Sequence, residues 1–261
     1  MRNAVPGGAG LTFARAEAKG GQAAGTVPFL HPLHMQPANM NAALKNLAPA
    51  RQPEPGTGSR AYAAGGKRVL DLLLVLLSLP VVLPIIALCA AALWLEGGRP
   101  FYTQARLGRG GRRFRILKLR TMVRDADQLL QHFLESDPAL RREWDETQKL
   151  KNDPRITPVG RVLRATSLDE LPQLWNVAAG DMSLVGPRPM MPEQLPLYGD
   201  ASAYFGLRPG ITGLWQVSVR NEGSFACRAQ ADADYRRRLS LGRDLALIWR
   251  TGKVVLKGTG Y

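Results

Sequence analysis

Cysteine and histidine are scarce in this chain, and their scarcity removes several chemistries at once. Only 2 cysteines and 3 histidines occur in 261 residues. Cys89 and Cys227 stand far apart, the first inside an apolar run, so neither a disulfide framework nor a metal-thiolate cluster is indicated and a reducing compartment is the default. His31 and His34 of "HPLH" fall in a Gly, Ala and Pro-rich stretch, which leaves His132 alone in the remainder and excludes zinc spacings and any Ser, His, Asp set. There is no Walker-type phosphate loop, no dinucleotide glycine fingerprint and no internal repeat. Acidic residues are also few: 21 against 35 lysines and arginines, a formal net charge of +14. Such an excess points to polyanions, whether nucleic acid, phosphorylated ligands or anionic lipid. No nucleic-acid-binding module accompanies it, and nucleic acid is not an expected partner.

What is present divides the chain into three. Residues 1–66 carry no sustained apolar period and read as a disordered tail, because such a composition buries too little surface to offset its ordering entropy. A basic region followed by an apolar core, the mark of a secretory signal, is absent from its start. Residues 67–98 are apolar from Val69 to Leu95, interrupted only by Asp71 and Ser78. As one straight helix that run is about 40 Å long, enough for a hydrocarbon core of roughly 30 Å. Pro80 and Pro84 fall in its middle, where each removes a backbone hydrogen bond and predicts a bend or break. Lys67 and Arg68 precede the run, and Arg99, Arg106, Arg109, Arg112 and Arg113 follow it. Basic residues mark the cytoplasmic side, so a helix, break, helix hairpin entering and leaving by one leaflet fits better than a kinked span. Residues 99–261 read as one cytoplasmic domain, with a charged helical stretch near Asp125 to Leu150. Near its end, "RDLALIWRTGKVVLKG" has the spacing of a helix that faces either a core or a membrane interface.

The stretch "RATSLDELPQLWNV", Arg164 to Val177, places Asp169 beside Glu170. A capping box from Ser167 to Glu170 is the plain structural reading, but Pro172 would then sit where its missing N–H is needed. A helix starting at Asp169 or Glu170 removes the conflict and leaves a carboxylate near unpaired backbone donors, where phosphate also binds. A carboxylate there has two uses: holding Mg²⁺ against a pyrophosphate, or attacking phosphorus to form an acyl phosphate. In "GDMSLVGPRPMMPEQ", Arg188 is set between Pro187 and Pro189, so a planar cationic fork is presented with little freedom left to lose. "FRILKLRTM" predicts a strand with Lys118 and Arg120 on one face, and "LRPGITGLWQV" a structured loop feeding a short strand.

In this order, the broken hydrophobic segment, "FYTQARLGRGGRRFRILKLRTM", "NDPRITPVGRVLRATSLDELPQLWNV", "GDMSLVGPRP" and "RPGITGLWQVS" resemble the bacterial sugar transferases, the monotopic phosphoglycosyl transferases. The resemblance covers residues from about Lys67 to Tyr261, and is greatest to the short exopolysaccharide-initiating type. It implies transfer of a hexose-1-phosphate from a UDP-sugar to undecaprenyl phosphate, with release of UMP. It further implies that Asp169 is the nucleophile and Glu170 its dyad partner, with Mg²⁺ held at this pair, and that Lys118, Arg120, Arg164 and Arg188 bind phosphates or nucleotide. Pro84, with Pro80 before it, matches the break of a re-entrant helix. Leu83 stands where some members have Ser, Leu119 replaces Phe of "KFR", and Val219 replaces a common glycine.

The expected fold is α/β and membrane-associated: a re-entrant helix, a small sheet and amphipathic helices in the interface, with the catalytic domain on the cytoplasmic face of the inner membrane. Membrane lipid is an expected partner, and a homo-oligomer and downstream glycosyltransferases are compatible ones. A non-catalytic membrane scaffold for polysaccharide assembly explains charge and apolar run, but has no use for Asp169, Glu170 and Arg188. The sequence does not name the sugar.

Overall fold

Long aliphatic runs fold as helix unless something more favourable competes, and here tertiary packing reinforces the tendency. The computed structural model describes residues 60–147, 150–218 and 225–256; His31, His34 and Val219 lie outside them. Lys67–Gly97 form a 31-residue helix, α1, preceded by a π-helical turn over Tyr62–Gly66. Helical structure thus begins ahead of Lys67, where the tail was expected to end, because Tyr62 is anchored: its hydroxyl donates to Asp244 Oδ2 at 2.7 Å.

Pro80 and Pro84 both lie inside α1, and the helix runs through them without the predicted interruption. Each proline costs a backbone hydrogen bond, but both halves of the helix are packed on the same domain. Val75 and Leu79 join Phe114, Ile116, Val177 and Met182, while Ile85, Cys89, Ala90 and Leu93 join Leu119 and Leu163. Along the outer side Leu72, Leu73, Leu76, Leu77, Val81, Leu83, Leu88, Trp94 and Leu95 are exposed. The helical segment Tyr62–Gly97 is long and apolar enough to cross a membrane, and its outer stripe suits membrane association.

The hairpin after it pairs β1 (Phe101–Leu107) antiparallel to β2 (Arg113–Leu119), with Tyr102 opposite Lys118 and Gln104 opposite Ile116. Alternation along β2 puts Phe114 and Ile116 in the core and Lys118 on their side, next to the interior. The strand stops at Leu119, so Arg120 does not continue the face it was expected to share. The charged stretch is two helices, α2 (Ala126–Ser136) and α3 (Pro138–Thr147). Then α4 (Pro158–Thr166) begins on a complete cap: Thr157 Oγ1 accepts from Gly160 N at 2.9 Å, with Pro158 at its first position. Just before it, Arg155 and Asp153 form a buried bidentate pair at 2.8 and 2.6 Å, which fixes the entry of "NDPRITP". Gly160 is required there, since a Cβ would lie 2.1 Å from Thr121 O.

Helix α5 (Gln173–Ala179) leads to β3 (Ser183–Val185), which pairs in parallel with β4 (Gly210–Thr212). Between the two strands run the short helices α6 (Leu195–Tyr198) and α7 (Ser202–Phe205). The expected small sheet is therefore two separate two-stranded sheets. Helices α8 (Leu214–Ser218), α9 (Phe225–Arg237) and α10 (Leu241–Leu256) complete the described chain. The last helix, for which a core and a membrane interface were the alternatives, packs one side into the core: Asp244 and Leu247 are buried, whereas Leu241, Leu245 and Trp249 are exposed, Trp249 by 69%.

One polar network fastens α1 to this domain. Asp244 is 0% exposed and accepts from Tyr62, Lys67 and Tyr235, the last at 2.6 Å. Asp71, the ionisable residue inside the apolar run, accepts from Ser183 Oγ at 3.1 Å and Leu184 N at 3.0 Å. Arg68 donates to the carbonyls of Val177 and Ala178, closing the C-terminal end of α5.

Candidate active site

The local fold around Asp169 differs from a helix start. Ser167 takes a left-handed conformation, φ 58°, and its N–H closes the end of α4 on Arg164 O at 3.1 Å. A single 3₁₀ turn, Leu168–Glu170, follows. Pro172 has no N–H to extend that turn, so α5 starts only at Gln173. Neither a capping box on Ser167 nor a helix opening at the carboxylates forms; the pair is held on a turn between two helices. Asn176, one turn into α5, ties that unit to β2: Leu117 N donates to its Oδ1 at 2.9 Å, and its Nδ2 donates to Arg115 O at 2.8 Å.

These constraints bring Lys118 to the carboxylates. Its Nζ lies 2.7 Å from Glu170 Oε1 and 3.8 Å from Asp169 Oδ2. Arg188 reaches Glu170 Oε1 at 3.7 Å from the opposite wall. That loop is rigid beyond its prolines, because Tyr204 is fully buried and its hydroxyl receives Met190 N at 3.0 Å and donates to Leu107 O at 2.6 Å. Three glycines permit the loop's close approach. A Cβ on Gly186 would meet Arg208 O at 2.3 Å, and one on Gly210 or Gly213 would come within 2.1 Å of Gly186 atoms. Together Arg106, Ile116, Lys118, Glu170, Gln173, Arg188, Pro189 and Ile211 line a shallow cleft.

The two carboxyls are pushed in opposite directions. Burial raises Asp169 above the ordinary carboxylate range, with Glu170 adding to the effect against Lys118, Arg164 and Arg188. Burial acts on Glu170 in the same sense, but Lys118, Arg188 and Arg106 outweigh it and hold it down to about 2. Adjacent acids with separated proton affinities are suited to different tasks, one a permanent anion and the other a tunable nucleophile. Their hard oxygens also suit Mg²⁺, which is commonly bound by one or two carboxylates plus substrate phosphate. Among the described residues no cluster of three His, Cys, Asp or Glu offers an all-protein cage instead. Asp169 is free of the short ion pair that engages Glu170, so the donor set fits an ion shared with a phosphorylated ligand.

Of the basic residues singled out in sequence, Lys118 and Arg188 flank the pair directly. Arg164 donates to Thr121 Oγ1 at 2.9 Å and acts on Asp169 electrostatically. Arg120 goes elsewhere: its guanidinium donates to Leu93 O at 3.3 Å, at the end of α1, and it is not among the residues lining the cleft. Two arginines not singled out as ligands belong with the site. Arg106 lines the cleft from β1, and Arg228 of α9 lies within electrostatic reach of Arg188. Arg106 has a sequence signal, since it stands two residues from Gln104 in "TQARLG"; Arg228 has none, because only the tertiary fold brings it near.

The model of the family described as bacterial sugar transferase matches residues 62–258. Similar proteins include a UDP-galactose-lipid carrier transferase of Erwinia amylovora, 48% identical over 195 residues, or 74% of this chain and 41% of that one. The exopolysaccharide production protein ExoY of Sinorhizobium fredii is 44% identical over 196 residues, 74% of this chain and 87% of its own. An undecaprenyl-phosphate galactose phosphotransferase of Salmonella typhimurium is 44% identical over 195 residues, again 74% of this chain and 41% of its own length. The chain thus spans about two-fifths of the longer relatives and most of the shorter one. Similarity that takes in the α1 anchor, the carboxylate turn and the proline-framed arginine together leads to one conclusion: the chain belongs to the bacterial sugar transferase family.

Proposed function

We propose that the chain transfers a hexose-1-phosphate from a UDP-sugar to undecaprenyl phosphate, the initiating step of exopolysaccharide or glycoconjugate synthesis. The observation that carries this reading is the Asp169 and Glu170 turn facing Lys118 and Arg188 on a domain that also packs both halves of an exposed apolar helix. Asp169, as carboxylate, attacks the β-phosphorus of the donor. The bond from that phosphorus to the bridging oxygen breaks, and UMP departs with that oxygen and the bond's electron pair. The acyl phosphate left on Asp169 carries the sugar. A phosphate oxygen of undecaprenyl phosphate then attacks the same phosphorus, the bond to Asp169 breaks, and the carboxylate returns as undecaprenyl-diphospho-sugar leaves. Glu170 stays anionic throughout and holds Lys118 and Arg188 in place around the pyrophosphate. Mg²⁺ at Asp169 and Glu170 would supply neutralisation of pyrophosphate charge when bound.

Anchoring follows the same logic. We read a helix whose first and second halves both rest on one domain as bending at Pro80 and Pro84 while staying helical, so that it enters and leaves the inner membrane by the cytoplasmic leaflet with the prolines at its deepest part. Exposed Trp175 and Trp249 would sit at headgroup level, alongside the membrane-bound phosphate acceptor.

The test is UMP release by the full chain in nanodiscs containing undecaprenyl phosphate, with Mg²⁺ and UDP-sugars supplied one at a time. Release with one sugar, its loss in Asp169→Asn, and a phosphosugar adduct on Asp169 in lipid-free incubations are expected. UMP release at the parental rate in Asp169→Asn would overturn the covalent route.

A further inference from the structure

Buried polar groups are normally satisfied, and each one that is not calls for an explanation, a bound ligand among them. Among the described residues five buried side-chain nitrogen or oxygen atoms lack a hydrogen-bond partner within the chain. One, Arg120 Nε, lies at the end of α1. The other four are Arg106 Nε, Trp215 Nε1, Gln216 Oε1 and Arg228 Nε. Trp215 and Gln216 belong to "GITGLWQV", whose Ile211 lines the carboxylate cleft along with Arg106. The Arg228 guanidinium lies 4.2 Å from the ring centroids of both Trp215 and Phe225. With aromatic rings on its faces, it has only its in-plane N–H groups left for recognition.

Nearby acids offset the charge of this group only in part. Asp232 receives the Tyr198 hydroxyl and is pushed up to about 7 by burial. Glu170 is engaged by Lys118 at 2.7 Å. Arg188 meanwhile lowers the proton affinity of both Arg106 and Arg228, as like charges in mutual reach do. A buried guanidinium nitrogen without a partner is costly in the free protein, and repulsion of Arg106 and of Arg228 by Arg188 adds to that cost. An anion with several acceptor oxygens would relieve both costs, because planar forks match phosphate geometry.

We propose that Arg106 and Arg228, together with Arg188, form a second phosphoryl-binding subsite beside the Asp169 and Glu170 pair, taking the phosphate that Asp169 does not attack. The assignment rests on the phosphotransfer reading above. Two phosphates share the required chemistry: the nucleotide phosphate that leaves, and the monoester of the polyprenyl acceptor. Arg106 and Arg228 come from β1 and α9, so the subsite joins parts of the domain on either side of the proline-framed loop.

The test uses the full chain in nanodiscs, with Arg106→Met, Arg106→Lys, Arg228→Met and Arg228→Lys. UMP and inorganic pyrophosphate are the probes in thermal-shift titrations, and KM is measured separately for donor sugar nucleotide and undecaprenyl phosphate. Loss of a charged hydrogen bond predicts affinity for the probes weaker by about tenfold or more in the Met variants. Partial recovery is expected in the Lys variants, and KM should rise more than kcat falls. Unliganded Arg106→Met should melt close to the parent, because the hydrogen bond it loses to Gln104 is offset by removal of a desolvated cation that Arg188 repels; an arginine that merely holds the fold would melt lower. A rise in KM for the donor assigns the subsite to the leaving phosphate, and a rise for undecaprenyl phosphate assigns it to the acceptor; either supports it. Parental probe affinity and parental KM values in folded variants overturn it. If the Met variants do not fold, the Lys variants decide by the same KM comparison. Should the parent release no UMP from any sugar yet bind pyrophosphate through Arg106, the subsite stands while the phosphotransfer reading falls. Binding of neither probe by the parent overturns the subsite.

Discussion

Two polar clusters in this molecule each hold a buried aspartate and are finished in opposite ways. Around Asp244 the groups close on one another: the carboxylate receives Tyr62, Lys67 and Tyr235, and nearby Asp71 is bound by Ser183 and Leu184. In and around the cleft the groups stay open: Asp169 has no short ion pair, and Arg106, Trp215, Gln216 and Arg228 each keep a buried atom without a partner. The closed cluster joins α1 to its domain. The open one is where the proposed phosphorylated substrates would supply the missing partners.

That contrast predicts that damage to the cleft costs turnover, and damage to the closed network costs stability. The largest effect should come from Asp169→Asn, which keeps shape but removes the proposed nucleophile; UMP release should fall by more than about a thousandfold, with melting unchanged or slightly raised. Asp244→Asn should do the reverse, because removing one partner from a buried ion pair costs about 3–5 kcal/mol. Its turnover per folded molecule should stay parental, and a fall in kcat equal to that of Asp169→Asn would erase the distinction between the clusters. Lys118→Met stands between them: loss of a preorganised cation should lower kcat by about a hundredfold, measurable by single-turnover UMP release.

A smaller effect separates the clusters by pH. Asp232, held by Tyr198 and facing Arg228, is raised to about 7 by burial. The folded state therefore keeps a proton that the unfolded chain releases near 3.9. Stability at this residue is greatest below that unfolded value and declines as pH rises through about 7. Asp232→Asn should flatten the decline in a series of melts from acid to neutral pH. The smallest effect belongs to the exposed tryptophans: Trp175→Ser and Trp249→Ser should each weaken vesicle partitioning a few-fold, leaving solution stability intact.

How much of this was legible depended on whether the signal was local. The apolar run, the neighbouring Asp169 and Glu170, and an arginine between two prolines are features of adjacent residues, and they could be read directly. Lys118 was legible because strand alternation ties its direction to that of Phe114 and Ile116. Arg120 was not, since β2 ends one residue earlier and the chain turns toward the carbonyl end of α1. The turn carrying the carboxylates was misjudged because Pro172 was expected only to move a helix start, whereas the left-handed Ser167 ends α4 immediately upstream. Asp71 read as an interruption of the apolar run; its partners lie more than a hundred residues away and leave no periodicity to detect. Arg228 was invisible for the same reason.

Arg68 has a mechanical meaning beyond closing a helix. It is rooted at the first turn of α1 and holds the last carbonyls of α5, the short rod whose approach turn bears Asp169. A seven-residue helix is a rod of about 10 Å, and Asn176 bolts it to β2 along its length. In the proposed reaction, height above the lipid and position of Asp169 are therefore one coordinate. Adding or deleting a residue within α5 would change the reach between anchor and carboxylate without touching either, as altering the shaft of a gauge shifts its zero.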